Sequence, residues 1–95
     1  MEFGRYLVLS TTHVRCATAQ LLDVWASLSA MEQPLAVAST HYGWFLSTCE
    51  LVESRALQLP EELPAILAFG RARGCAHILL DSDGPEIPDL PLFPW

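Results

Sequence analysis

Residues 35–47 decide the fold: Leu35-Ala36-Val37-Ala38-Ser39, then Thr40-His41-Tyr42, then Gly43-Trp44-Phe45-Leu46-Ser47. Two short apolar runs of strand length flank a three-residue link. Gly43 is free to take a positive φ there, so the pair reads as a β-hairpin. Before it, residues 17–29 carry Leu21, Val24, Trp25 and Leu28 at i, i+3, i+4 and i+7, the spacing of an amphipathic helix. Thr18, Gln20, Asp23 and Ser27 fall largely on the other side, and Pro34 punctuates the exit. After the hairpin, residues 48–60 read mostly as loop. Leu63, Ile66, Leu67 and Gly70 then share a second helical face, with Arg71 and Arg73 in the last turn and Gly74 as a C-cap. Pro60 and Pro64 both suit the start of that helix, since neither donates a backbone N–H.

Outside the helices lie two more strands. Tyr6-Leu7-Val8-Leu9 and Ala76-His77-Ile78-Leu79-Leu80 are continuous apolar runs, as expected for strands covered on both faces. The order is therefore β-α-β-β-α-β. This predicts an α/β (α+β) sandwich of the ferredoxin-like kind, a four-stranded sheet with two helices on one face and the first strand inside the sheet. Residues 1–95 form one domain, and residues 84–95 are an extended Pro-rich C-terminal tail. Leu90, Leu92, Phe93 and Trp95 in that tail predict that it docks back on the domain.

Composition narrows the function classes. Apolar residues make up 52% of the chain and charged residues 17%, which describes a globular protein with apolar surface to spare for a dimer or partner interface. Eleven acids against five bases give a net charge of −6, and all five bases are arginine. That field opposes direct nucleic-acid binding and anionic membranes, and it suits basic protein surfaces. Cys16, Cys49 and Cys75 are odd in number and lack CxxC spacing, so they read as buried reduced thiols. No basic, apolar leader and no long apolar span is present, and the expected compartment is the cytoplasm.

No motif specifies an enzyme, a metal or a cofactor. Ile78-Leu79-Leu80-Asp81-Ser82-Asp83-Gly84 mimics the strand-then-DxDG signature of aspartate-nucleophile phosphatases. Those enzymes open a long domain with it and need a later lysine, whereas this chain has eleven residues left and no lysine. An Asp/Gly turn accounts for it instead. His13, His41 and His77 form no close pair with each other or with the cysteines, so packing accounts for them. Tyr42-Gly43-Trp44-Phe45-Leu46, with Tyr6 as a second platform, invites comparison with RNA-recognition sheets. His41 and Ser47 or Thr48 stand where such a motif has its basic residue and final aromatic. The acids cluster at Glu50, Glu53, Glu61 and Glu62, and again at Asp81, Asp83, Glu86 and Asp89. Glu50, Glu53, Asp81, Asp83, Glu86 and Asp89 are the expected partner-binding residues, with Trp44 as the aromatic anchor if its ring faces the open side of the sheet.

Six segments carry a resemblance: His13-Val14, Tyr42-Gly43-Trp44-Phe45, Leu59-Pro60-Glu61-Glu62-Leu63, Arg73-Gly74-Cys75, Asp81-Ser82-Asp83-Gly84, and Leu90-Pro91-Leu92-Phe93-Pro94-Trp95. In these the chain resembles a small bacterial family of uncharacterised domains carried on plasmids, prophages and integrated elements. The likeness covers most of the chain and is strongest from residue 59 onward. Arg15-Cys16 departs from the family's threonine at the start of the first helix, and Pro94 from an acidic residue before the last tryptophan. The resemblance implies a genetic setting and no enzyme activity. In that setting the expected role is an anti-defence inhibitor (anti-CRISPR or antirestriction) that binds a host defence protein or nucleoprotein complex and occupies its basic nucleic-acid channel. The alternatives are a dimeric structural or regulatory module of the element, and, beyond it, an RNA-binding sheet or an unrecognised enzyme.

Overall fold

The computed structural model describes all residues, 1–95. Its elements in chain order are β1 (Tyr6–Ser10), a 3₁₀ turn (Thr11–His13), α1 (Cys16–Ala26), β2 (Val37–Ser39), β3 (Gly43–Ser47), a one-turn α2 (Glu53–Ala56), α3 (Glu62–Ala72) and β4 (His77–Asp81). Helix–strand order agrees with the sequence reading, apart from the extra turn of α2 in the stretch read as loop.

The sheet order is β1-β4-β3-β2. β4 runs parallel to β1 and antiparallel to β3, which in turn pairs antiparallel with β2. The fold is thus a mixed α+β layer structure, but the expected ferredoxin-like arrangement is corrected. β1 lies at an edge, not inside. Alternation of apolar side chains fixes which face a strand turns to the core, not which strand becomes its neighbour. Here the tail holds β1 against β4: the Ser10 N–H donates to the Pro85 carbonyl, and the Phe93 N–H to the Thr12 carbonyl.

Both long helices cover one face of the sheet. Leu9, Trp44, Leu46, Ile78 and Leu80 point into this layer and meet Leu22 and Trp25 of α1 and Leu63, Ile66 and Leu67 of α3. The α3 face is the one read from the sequence. In α1 the buried stripe is Thr18, Ala19, Leu22 and Trp25, while Leu21 and Val24 are exposed. The stripe is rotated because α1 packs against β2, with Leu22, Trp25, Leu35 and Val37 in one buried cluster. Gly70 lets α3 approach the sheet: a Cβ there would stand 2.9 Å from side-chain atoms of Ile78 and Thr48. Gly74 ends the helix with φ 70, as read. Gly43, by contrast, needs room and not a positive φ, since a Cβ would meet the Leu80 carbonyl oxygen. Pro60 precedes α3, and Pro64 lies in its first turn, where no N–H partner is lost.

Candidate functional site

The second face of the same sheet has no helix over it. By register, Tyr6 and Val8 of β1, His77 and Leu79 of β4, Phe45 and Ser47 of β3, and Ala38 of β2 all turn to this side. Tyr6 is 55% exposed and Val8 36%. The rings form a row across the strands. Tyr6 meets Phe45 edge-on with centroids 5.7 Å apart, and Phe45 stacks on His77 at 4.7 Å with 14° between planes. Beside the row lies a shallow hollow of about 220 Å³, bounded by Gln33, Ala36, Ala38, Phe45, Ser47 and His77. The strands first read as covered on both faces are therefore covered on one.

The two edges of the sheet differ. At β2 the Gln33 side chain acts as a substitute strand: its Nε2 donates to the Val37 carbonyl and its Oε1 accepts the Val37 N–H. At β1 the N–H and C=O groups of Tyr6 and Val8 point away from β4 and form no bond elsewhere.

A second cluster, where the tail meets the start of α1, is fully satisfied. His13 is buried, and its Nε2 accepts the Ile87 N–H. The ring proton therefore sits on Nδ1, which donates to the Pro91 carbonyl 2.9 Å away. Trp95 Nε1 donates to the Val14 carbonyl, and the Thr12 hydroxyl donates to Glu86. Glu62, buried at the start of α3, caps α1 from outside: its carboxylate accepts the Arg15 N–H at 2.8 Å and the Thr18 hydroxyl at 2.7 Å. The Arg15 guanidinium completes the set at 3.1 Å and lies 4.4 Å over the Phe93 ring. Burial, the largest single influence, pushes the Glu62 carboxyl up. The Arg15 N–H, the Thr18 hydroxyl, its own backbone and the Arg15 charge together outweigh burial and hold it below the ordinary value. No buried side-chain polar atom is left without a partner, so this region reads as a clasp.

Residues 6–95 match the model of a family described as "Family of unknown function (DUF5983) C-terminal domain". The chain belongs to the DUF5983 family. No curated protein and no solved structure matches it. Membership fits the uncharacterised family of the sequence reading and carries no activity with it.

In this DUF5983 domain the expected site residues scatter. Trp44 is 8% exposed, its ring lies on the helix-covered face, and its Nε1 donates to Asp23 at 2.8 Å. The exposed-anchor expectation is corrected: alternation along β3 turns Trp44 inward and Phe45 outward. Glu50 and Glu53 lie beyond the Ser47–His77 end of the sheet, while Asp81, Asp83, Glu86 and Asp89 follow its opposite end. They form two groups and not one patch. Asp81 accepts the Asp83 N–H on its side chain and the Gly84 N–H on its carbonyl, which is the Asp/Gly turn. Cys75 is buried, but Cys16 and Cys49 are exposed, against the reading of three buried thiols. No three His, Cys, Asp or Glu side chains converge in a metal-binding arrangement. No helix is long and apolar enough to cross a membrane. His77, Val8 and Leu79 were the residues missed, and Phe45 was noted only within the RNA-recognition-like stretch. Strand alternation puts all four on the face opposite Trp44 without saying which face the helices cover.

Proposed function

We propose that this chain is a protein-binding module that engages its partner through the open face of the sheet. The observation that carries this reading is the uncovered Tyr6–Phe45–His77 row with Val8, Leu79 and Ala38 around it. Exposed apolar and aromatic surface of this kind costs solubility unless a partner uses it. Charge favours a protein over a nucleic acid as that partner. Arg55, Arg71 and Arg73 donate to main-chain carbonyls and Arg15 to Glu62, which leaves Arg5 alone uncommitted. Stacked aromatics without cations lack the phosphate contacts that supply most nucleic-acid affinity.

The net charge of −6 directs the module to a basic partner surface, and the two acidic groups at opposite ends of the sheet would flank it. An inhibitor that occupies the basic channel of a host defence complex is the specific form of this reading. It rests on the charge and on the resemblance to domains of mobile elements.

The test is quantitative co-purification from cells that express the chain, comparing wild type with a Tyr6→Ser/Phe45→Ser double variant of native circular dichroism. A protein enriched on wild type and lost from the variant supports the reading. Equal recovery of the same proteins refutes the open face, and loss of the wild-type complex on nuclease treatment assigns the face to RNA.

A further inference from the structure

The open edge of β1 has a shape that fits itself. β1 pairs only with β4, so the backbone groups of Tyr6, Val8 and Ser10 face outward. Pro85 takes the Ser10 N–H, which leaves a window of Tyr6, Leu7 and Val8. Buried or exposed, such a row of donors and acceptors is a template for another strand, and natural edges are usually blocked. The opposite edge is blocked at Val37, by Gln33. The window at β1 carries no lysine, proline or inward charge.

We infer that β1 pairs antiparallel with β1 of a second copy, so that two four-stranded sheets join into one of eight strands. A two-fold axis at Leu7 sets the register. Tyr6 then faces Val8 of the partner copy in two hydrogen-bonded pairs, and Leu7 faces its own counterpart in the closer, non-hydrogen-bonded position. Leu7, partly exposed in the single chain, becomes covered. Because opposite residues share a face, the two open faces merge into one continuous platform with Tyr6 and Val8 at its centre.

Charge selects a second copy over another occupant. Arg5, the one arginine without an internal partner, stands at the start of the window. Glu86 sits at the far end, held to the Thr12 hydroxyl through one carboxylate oxygen, with the other free. An antiparallel two-fold brings each Arg5 toward Glu86 of the other copy. Two such pairs offset the repulsion between chains of net charge −6. The inference does not depend on what the open face binds.

Sedimentation velocity on the full chain, at about 0.15 M salt where the Debye length is about 8 Å, tests it over a concentration series. The expected result is a reversible shift from monomer to dimer mass. Val8→Pro removes an outward N–H at an edge position that tolerates proline, so it should stay folded and monomeric. Arg5→Glu and Glu86→Arg should each weaken the dimer about fivefold, and the double variant should restore it. Phe45→Ser, off the edge, should leave the dimer unchanged while disabling the open face. A wild type monomeric throughout, or a Val8→Pro protein that still dimerises, overturns the inference. Single charge reversals without effect overturn the register.

Discussion

One sheet presents two faces built from alternate residues of the same strands. Trp44, Leu46, Ile78 and Leu80 are buried under α1 and α3, while Phe45, His77 and Leu79, one position away, stand partly in solvent. Both sets are largely apolar, with His77 the polar member of the second. A half-buried antiparallel sheet normally shows polar residues on its wet side, and β4 shows leucine and histidine. The faces therefore differ more in cover than in composition, and a largely apolar face without cover is a surface awaiting a partner.

The largest expected contrast comes from truncating neighbours on the two faces. Ile78→Ala leaves a void in a core position with no exposure and should cost about 4 kcal/mol in urea unfolding. Leu79→Ala should cost clearly less, about 1–2 kcal/mol, because the side chain is partly hydrated already and its loss opens no enclosed void. Equal costs would mean that the second face is covered in the native protein, which the dimer alone would not achieve at Leu79.

Deleting residues 90–95 should have the next largest effect. It removes buried Leu90, half-buried Phe93 and the bonds to His13, Thr12 and Val14. The expected loss is about 3 kcal/mol, a fall in Tm of roughly 15 °C. Trp95 and Leu92 stay more than half exposed, so the tail buries only two of the four large side chains that the sequence offered, and Trp95 docks through its indole N–H alone. An unchanged Tm would show that the clasp is not part of the domain.

Glu62→Gln should cost about 2 kcal/mol at neutral pH. The amide oxygen can still accept from the Arg15 N–H and the Thr18 hydroxyl, but its NH2 group cannot accept from the Arg15 guanidinium, and the charge that strengthens all three bonds is gone. The Glu62 carboxyl is held below its ordinary value. Its contribution is therefore full above the unfolded carboxylate value of about 4.3 and is lost as pH falls through the lower folded value. The gap between wild type and variant should close in acid. A gap that persists below that range would assign the effect to packing.

What was legible in the sequence follows from the same contrast. Helical spacing at Leu63, Ile66, Leu67 and Gly70 identified the buried face of α3, because a helix with one apolar stripe has one way to bury it. The hairpin at 35–47 and the turn at 81–84 were legible from their small and polar link residues. The α1 stripe was misplaced because Leu21 and Val24 are as apolar as Leu22 and Trp25, so local pattern alone did not fix the rotation. The edge position of β1 depends on the tail bonds of Ser10 and Thr12, whose partners lie more than seventy residues away. The candidate site was missed for a related reason. An aromatic on a strand announces itself, but Trp44 and Phe45 are adjacent, and only the placement of the helices says which of them faces out. The helix start at Arg15 lacked its own cap, and the compensating Glu62 was legible only as one acid in a cluster.

The most direct measurement is site-specific photo-crosslinking in cells that make the protein. A benzophenone side chain is placed at Ala38 or Leu79 on the open face, and at Val24 or Ala68 on the exposed side of the helices. The account expects adducts to a partner protein from Ala38 and Leu79 and none from Val24 or Ala68. Adducts from the helix positions alone would contradict it, because the partner would then be held on the covered side of the sheet.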